Sequence, residues 1–267
     1  MADVAAPAAL TLLAVAYAVG VDHAWDRAGR GRVIRVEQVG AFVAGLLALL
    51  IATVGPLDAR AHVSLTAHMA QHVLLLMVAA PLLVAGAAVP ALLWALPARP
   101  RRHALAGWRR LARSHGGLGW MAWTAGAIVV QSAAMWLWHL PGPFQAALRH
   151  PVLHGAEHLT LVVTAMVFWW AAAAGRRDRL GAAVLAVFIA ALPGTGLGAA
   201  LTLANHPWYG MYIRPGALAD QQMAGVVMWA VGGFVYVIAA AVLFARWMAS
   251  LEASMPPGSF ARVEAAK

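Results

Sequence analysis

The chain has 267 residues, 63% of them hydrophobic and 11% charged, with a mean hydropathy of +0.74. This balance excludes an ordinary water-soluble domain and points to an integral membrane protein whose solvent is the bilayer. Cysteine is absent, which removes disulfides, thiolate zinc sites, iron–sulfur clusters and cysteine nucleophiles together and leaves His, Met, Asp and Glu to hold any metal. The formal charge of +9 sits in short connections between apolar runs, where arginines read as topology signals rather than as a footprint for nucleic acid.

Seven apolar runs are long enough to cross a hydrocarbon core of about 30 Å. They are Ala5–Val21, Val36–Val54, His68–Leu96, Leu118–Trp138, Val152–Ala174, Leu180–Ala204 and Gln221–Trp247. The first carries Asp3 before it and no basic residue, so it reads as a retained span rather than a cleaved signal. No connection is long enough for a second domain. The expected fold is therefore all-α: a single seven-transmembrane-helix bundle over residues 1–250, followed by a tail over 251–267.

Sixteen of the nineteen Lys and Arg residues fall on one side of these runs; Arg60, Arg149 and Arg214 fall on the other. The asymmetry predicts an N-terminus outside and a C-terminus in the cytoplasm. Trp120, Trp123, Trp169, Trp170 and Trp247 near the inner ends, with Trp136, Trp138 and Trp208 near the outer ends, fit interfacial belts. Arg99 to His115 reads either as a basic helix lying on the inner leaflet or as a solvated loop. Pro81 in the third run and Leu192-Pro193-Gly194-Thr195-Gly196 in the sixth predict kinks or unwound backbone. Gly194 and Gly198 form a G-x-x-x-G pattern suited to close helix packing.

Of the eleven histidines, this topology places His23, His103 and His115 inside and the other eight outside. His68 and His72 open the third span four residues apart, so both imidazoles lie on one helix face, about 6 Å apart in depth. His154 and His158 repeat the spacing at the start of the fifth span. Polar groups this deep face the bundle interior and find partners there, and two such pairs at one depth point to a shared metal site. Imidazole suits Cu, Zn, Fe and Ni alike. Met69, Met223 and Met228 lie in or just below the same outer half, and thioethers beside imidazoles favour Cu(I). Asp220 reads as a cap of its own helix N-terminus or as an acceptor that orients a ligating imidazole. Glu157 has the same two readings, with simple exposure favoured. His139 falls near the surface, as a rim residue or a ligand at the mouth.

His68-x-x-Gln71-His72 followed by Ala80-Pro81-Leu82-Leu83, Trp138-His139-x-Pro141, His154-x-x-Glu157-His158 leading to Phe168-Trp169, and Asp220-Gln221 followed by Met228-Trp229 together resemble the CtaG family of cytochrome c oxidase assembly proteins. The resemblance is to the multi-span bacterial family, which serves caa-type oxidases, and covers nearly the whole chain from the second span onward. Where the family pattern has a Gly pair after Asp-Gln, this chain has Ala224-Gly225. The resemblance implies a multi-pass protein of the bacterial inner membrane that matures a haem–copper oxidase by handling copper on the outer face. Its implied partners are oxidase subunits, an extracytoplasmic copper donor and the lipid bilayer; a homo-oligomer is left open.

The leading expectation is thus copper held by His68, His72, His154 and His158, with Met69, Met223, Asp220 and His139 as auxiliaries. A haem-binding membrane cytochrome clamped by facing histidines, a copper transporter built on the broken sixth span and a structural scaffold are the alternatives. A retinal-type receptor is excluded because the sole lysine, Lys267, lies in the tail. No nucleophile motif or phosphate-binding loop is present, so no enzymatic activity is expected.

Overall fold

In the computed structural model, which describes residues 5–114, 118–173 and 179–253, those residues form helices and short connections without a strand. In chain order the helices are α1 Ala5–Ala28, α2 Val36–Thr53, α3 Pro56–Ala61, α4 Leu65–Val73, α5 Ala80–Ala85, α6 Ala88–Ala95, α7 Ala98–Ser114, α8 Leu118–His139, α9 Pro141–Arg149, α10 Pro151–Ala173, α11 Leu180–Leu203, α12 Ala217–Val226 and α13 Gly232–Glu252. π-helical turns at Leu74–Ala79 and Val227–Val231 join α4 to α5 and α12 to α13. Six of the resulting helical segments are long and apolar enough to cross a membrane. The remaining expected crossing, α8, is continuous over 22 residues and carries four tryptophans with Thr124, Gln131 and Ser132; it is not among the six. His115, Arg176, Arg177 and most of the expected tail lie outside the described residues.

The third expected span is built in pieces. Pro81 removes a backbone donor, and the chain answers with a π turn instead of a break: the Ala80 N–H bonds the Leu75 carbonyl, five residues back. The actual break comes later, at Gly86 and Ala87, where Ala87 has φ +51°. Gly86 lies against the Phe42 backbone, where a Cβ would come within 2.6 Å of the Phe42 amide, and its carbonyl accepts the Tyr17 hydroxyl at 2.9 Å. Tyr17 in turn stacks on Phe42 with ring centroids 3.5 Å apart. This close approach holds α6 under α1, where a side chain on Gly20 would collide with the Ala91 carbonyl.

The sixth expected span is not unwound. Leu180–Leu203 runs as one helix through Pro193, because neighbouring helices supply the packing that tolerates a proline inside a membrane helix. Gly198 packs as the G-x-x-x-G pattern predicts: a Cβ there would meet the Gly225 carbonyl at 2.8 Å, so α11 and α12 touch backbone to backbone. Gly225, the second residue of the Ala-Gly pair, is the partner in this approach.

The tryptophan belts are corrected in part. Trp123 and Trp136 are exposed, but Trp120 and Trp169 are buried between helices, donating to the carbonyls of Ala171 and Leu76, both at 2.9 Å. An indole N–H needs an acceptor when buried, and helix carbonyls supply it. The basic segment is helical as α7, with the Arg101 guanidinium 4.9 Å from the Trp94 ring centroid.

Gly20→Ala tests the tightest of these approaches. Overpacking of this kind costs about 1–3 kcal/mol, so the variant should unfold at a lower temperature in detergent. An unchanged midpoint would contradict the close contact of α1 with α6.

Candidate metal centre

The start of α4, the end of α8, α9, the start of α10, the end of α11 and the start of α12 meet at one end of the bundle. Asp220 organises this end. Its carboxylate accepts from the Ser64 hydroxyl at 2.9 Å, the Leu65 amide at 2.9 Å, the Thr66 amide at 3.2 Å and the Thr66 hydroxyl at 2.7 Å. Arg214 adds a contact of 3.3 Å. Asp220 therefore caps the N-terminus of α4, not that of its own helix, with the charge where the α4 dipole favours an anion. Its lone pairs are taken, and it acts by fixing the helix that carries His68 and His72.

The neighbouring amides complete the frame. Gln221 accepts from the Trp208 amide at 2.6 Å and donates to the His206 carbonyl at 3.2 Å, and Gln222 donates to the Ala204 carbonyl at 3.1 Å. Together they fold the 204–216 connection over the site. Gln71, between the two α4 histidines, donates to the Ala52 carbonyl at 2.6 Å and to Asp58 at 3.0 Å, tying α4 to α2 and α3. Phe144 of α9, fully buried, sits edge-on to His68 with centroids 4.9 Å apart.

The four predicted histidines are brought together. Ring centroids of His68 and His72 are 4.5 Å apart, those of His154 and His158 4.3 Å, and across the helices His68 lies 5.5 Å from His154 and His72 5.5 Å from His158. Into this cluster α10 also sends Glu157. Its side chain is 0% exposed, which overturns the favoured reading of simple exposure: one helical turn of α10 can direct residues 154, 157 and 158 to the same interior face. Glu157 Oε1 stands 3.5 Å from His72 Nε2 and 4.0 Å from His68 Nε2. Two groups of donor atoms lie mutually within 4.8 Å: His68, His154 and His158, and His68, His72 and Glu157.

The tautomers follow from the hydrogen bonds. His139 Nδ1 lies 2.7 Å from the Met135 carbonyl, which can only accept, so this nitrogen carries the proton. His139 Nε2 is then an acceptor and takes the Nδ1–H of His72 at 3.2 Å. In the neutral ring the remaining nitrogen, His72 Nε2, presents a lone pair. Tyr212 does the same for His68. Its hydroxyl donates to the Ala61 carbonyl and accepts His68 Nδ1–H at 3.4 Å, leaving His68 Nε2 as a lone pair. Burial pushes the Tyr209 and Tyr212 phenols above their ordinary range, so both remain donors, and Tyr209 donates to the His139 carbonyl at 2.8 Å.

Nε2 of His68, His72 and His158 and both oxygens of Glu157 are buried without a hydrogen-bond partner. Lone pairs that face each other across 3.5–4.0 Å repel unless a proton or a metal ion lies between them, and buried polar atoms left unpaired are costly. A metal ion fits this donor set.

The other predicted residues fall elsewhere. His139 is 2% exposed, not near the surface, because α9 and Tyr209 cover it; both its nitrogens are engaged, so it orients His72. Met69 is buried in an apolar cluster with Leu65, Phe144, Leu201, Tyr209 and Tyr212. Met223 is 54% exposed and faces away from the cluster. Tyr212, Tyr209 and Phe144 escaped sequence reasoning, since a lone aromatic in a connection carries no periodic signal.

Comparison with protein families matches residues 15–250 to the model of the cytochrome c oxidase caa3 assembly factor. Neither the comparison with curated proteins nor that with solved structures gives a match.

Asp220→Ala removes the acceptor of five donors at once. With hydrogen bonds to a charged group worth about 1.5–3 kcal/mol, the variant should lose about 2–3 kcal/mol and expose the 204–216 connection to protease. Wild-type melting and cleavage would argue against Asp220 as the clamp. The match over residues 15–250, on a multi-pass helical bundle with the paired histidines gathered at one end, establishes that the chain belongs to the cytochrome c oxidase caa3 assembly factor (CtaG) family.

Proposed function

We propose that this chain carries copper as cargo during maturation of a cytochrome c oxidase, receiving the ion in the cluster of His68, His72, His154, His158 and Glu157. The observation that carries the reading is the convergence of buried nitrogen and oxygen lone pairs that find no hydrogen-bond partner, in a family of oxidase assembly factors. Imidazole and carboxylate donors accept several first-row ions; the oxidase, a copper enzyme by the family resemblance, selects copper among them. His139 and Tyr212 hold two of the rings in the tautomer a ligand needs. The role is binding and hand-over of an ion to oxidase subunits, without a catalysed reaction.

Seven crossings, with the N-terminus outside and the C-terminus in the cytoplasm, complete the reading. The 22 residues of α8 make a helix of about 33 Å, long enough to span. The arginine asymmetry then puts the cluster on the outer face of the bacterial inner membrane, within reach of an extracytoplasmic copper donor. The cytochrome alternative is disfavoured by space: a cavity of about 40 Å³ adjoins His72, whereas small-molecule sites take roughly 300–1,000 Å³.

Copper content of the purified protein in mild detergent tests the ligands. A His72→Ala, His158→Ala double variant should retain at least tenfold less copper against a competing chelator, and undiminished retention would sink the assignment. Because the ligating imidazoles must be neutral, protons compete with the ion, so occupancy should fall as pH falls. Copper uptake into proteoliposomes would instead favour a transporter.

A further inference from the structure

His72 stands on the wall between two spaces. One face of its ring looks into the cluster; the ring also lines a cavity of about 40 Å³ deeper in the bundle, shared with His139, Met77, Met135, Met228 and Gln131. The three methionines come from three separate segments. Met77 lies in the π turn Leu74–Ala79, Met228 in the π turn Val227–Val231 and Met135 in α8. π turns are rare and concentrate at functional sites, and here each carries a methionine that lines the same cavity.

The space is kept open by residues without side chains. Gly194, Gly232 and Gly233 line it. A Cβ on Gly232 or Gly233 would meet nothing within 4 Å, and one on Gly194 only the Met135 sulfur at 3.8 Å. Helical interiors are normally filled, and an empty volume costs stability. Gln131 is buried, and its carbonyl oxygen has no hydrogen-bond partner. No Asp, Glu, Lys or Arg lines the cavity, and the nitrogens of His72 and His139 are already engaged in the relay or turned to the cluster, so the donors it offers are neutral: methionine thioethers, the Gln131 amide oxygen and the hydroxyls of Ser132, Thr195 and Tyr236.

We propose that this cavity is a second metal site, selective for Cu(I), with Met77, Met135 and Met228 as its thioether ligands, filled from the His/Glu cluster past His72. Thioethers are soft donors that prefer Cu(I) to Zn²⁺ or Cu(II). The charge argument agrees: the Born cost of an ion in a low-dielectric interior rises with the square of its charge, so a divalent ion would cost about four times as much in a cavity without a carboxylate. Passage from one site to the other is ligand exchange. Copper–nitrogen and copper–oxygen bonds give way to copper–sulfur bonds, the ion stays Cu(I), and no electron or proton is transferred. The proposal rests on the cluster as the point of copper entry, and the structure separates the two donor sets: imidazole and carboxylate above, thioether below.

The probe is Cu(I) alone, added anaerobically to the full-length protein in mild detergent, with bound copper counted and its neighbours read by X-ray absorption. Wild type should show sulfur as well as nitrogen and oxygen neighbours. A Met77→Leu, Met135→Leu, Met228→Leu variant, which preserves side-chain volume, should lose the sulfur neighbours and about one copper equivalent while keeping the nitrogen and oxygen neighbours. Gly232→Leu, which fills the cavity without removing a donor, should lose the same equivalent. Sulfur neighbours and copper content unchanged in the triple variant would overturn the proposal, as would their absence from wild type. His72→Ala, His158→Ala reads the other site: loss of nitrogen neighbours there with the methionine result negative leaves the cluster standing alone, and the converse leaves only the cavity. Should the variants fail to fold, selenomethionine-labelled wild type decides, because a copper neighbour at selenium supports the site and its absence overturns it.

Discussion

A carboxylate buried among imidazoles, with neither of its oxygens hydrogen-bonded, is the constraint on which this end of the molecule depends. Inside a membrane such a group is expensive, and nothing in water-soluble packing would retain it. Glu157 stays where it is because α10 is fixed against α8, α9, α5 and the π turn that follows α4, and α4 itself is fixed by bonds that lie outside the cluster. The polar residues at this end play two parts: some, by hydrogen bonds between helices, build the frame, while Nε2 of His68, His72 and His158 and the Glu157 carboxylate keep open bonds at the centre.

Asp220 is the clearest member of the first group. Four of its five donors belong to the first residues around α4, so one side chain on α12 sets the height and rotation of the helix that carries His68 and His72. Gln71, Gln221 and Gln222 repeat the logic at other junctions. The relay from the Met135 carbonyl through His139 to His72 does something finer: it settles which nitrogen of His72 keeps a lone pair. A ligand position can thus be prepared by protons two residues removed from it.

The π turns connect this frame to the deeper space. Each adds a residue to its helix and displaces the face that follows, and Pro81 accounts for the first of them by removing the donor that a regular helix would need. The second, at Val227–Val231, has no proline; it follows the backbone contact of Gly198 with Gly225, where α11 and α12 come too close for side chains. Both consequences of small or donor-poor residues meet at one cavity.

The sequence by itself determined the helical membrane class, the family and the two histidine pairs, because hydropathy, charge asymmetry and i, i+4 spacing are local and periodic properties. It also located Gly198 as a packing point. Glu157 was misjudged because a carboxylate one residue from a histidine is exposed or buried according to what the opposite helix brings, and that is not written locally. Tertiary structure alone decided that Asp220 caps another helix, that His139 orients rather than rims, that Met223 faces outward, and that Met77 and Met135 share a cavity with Met228. Each of those depends on contacts between residues tens to more than a hundred positions apart, which the bundle fixes only once all its helices are packed.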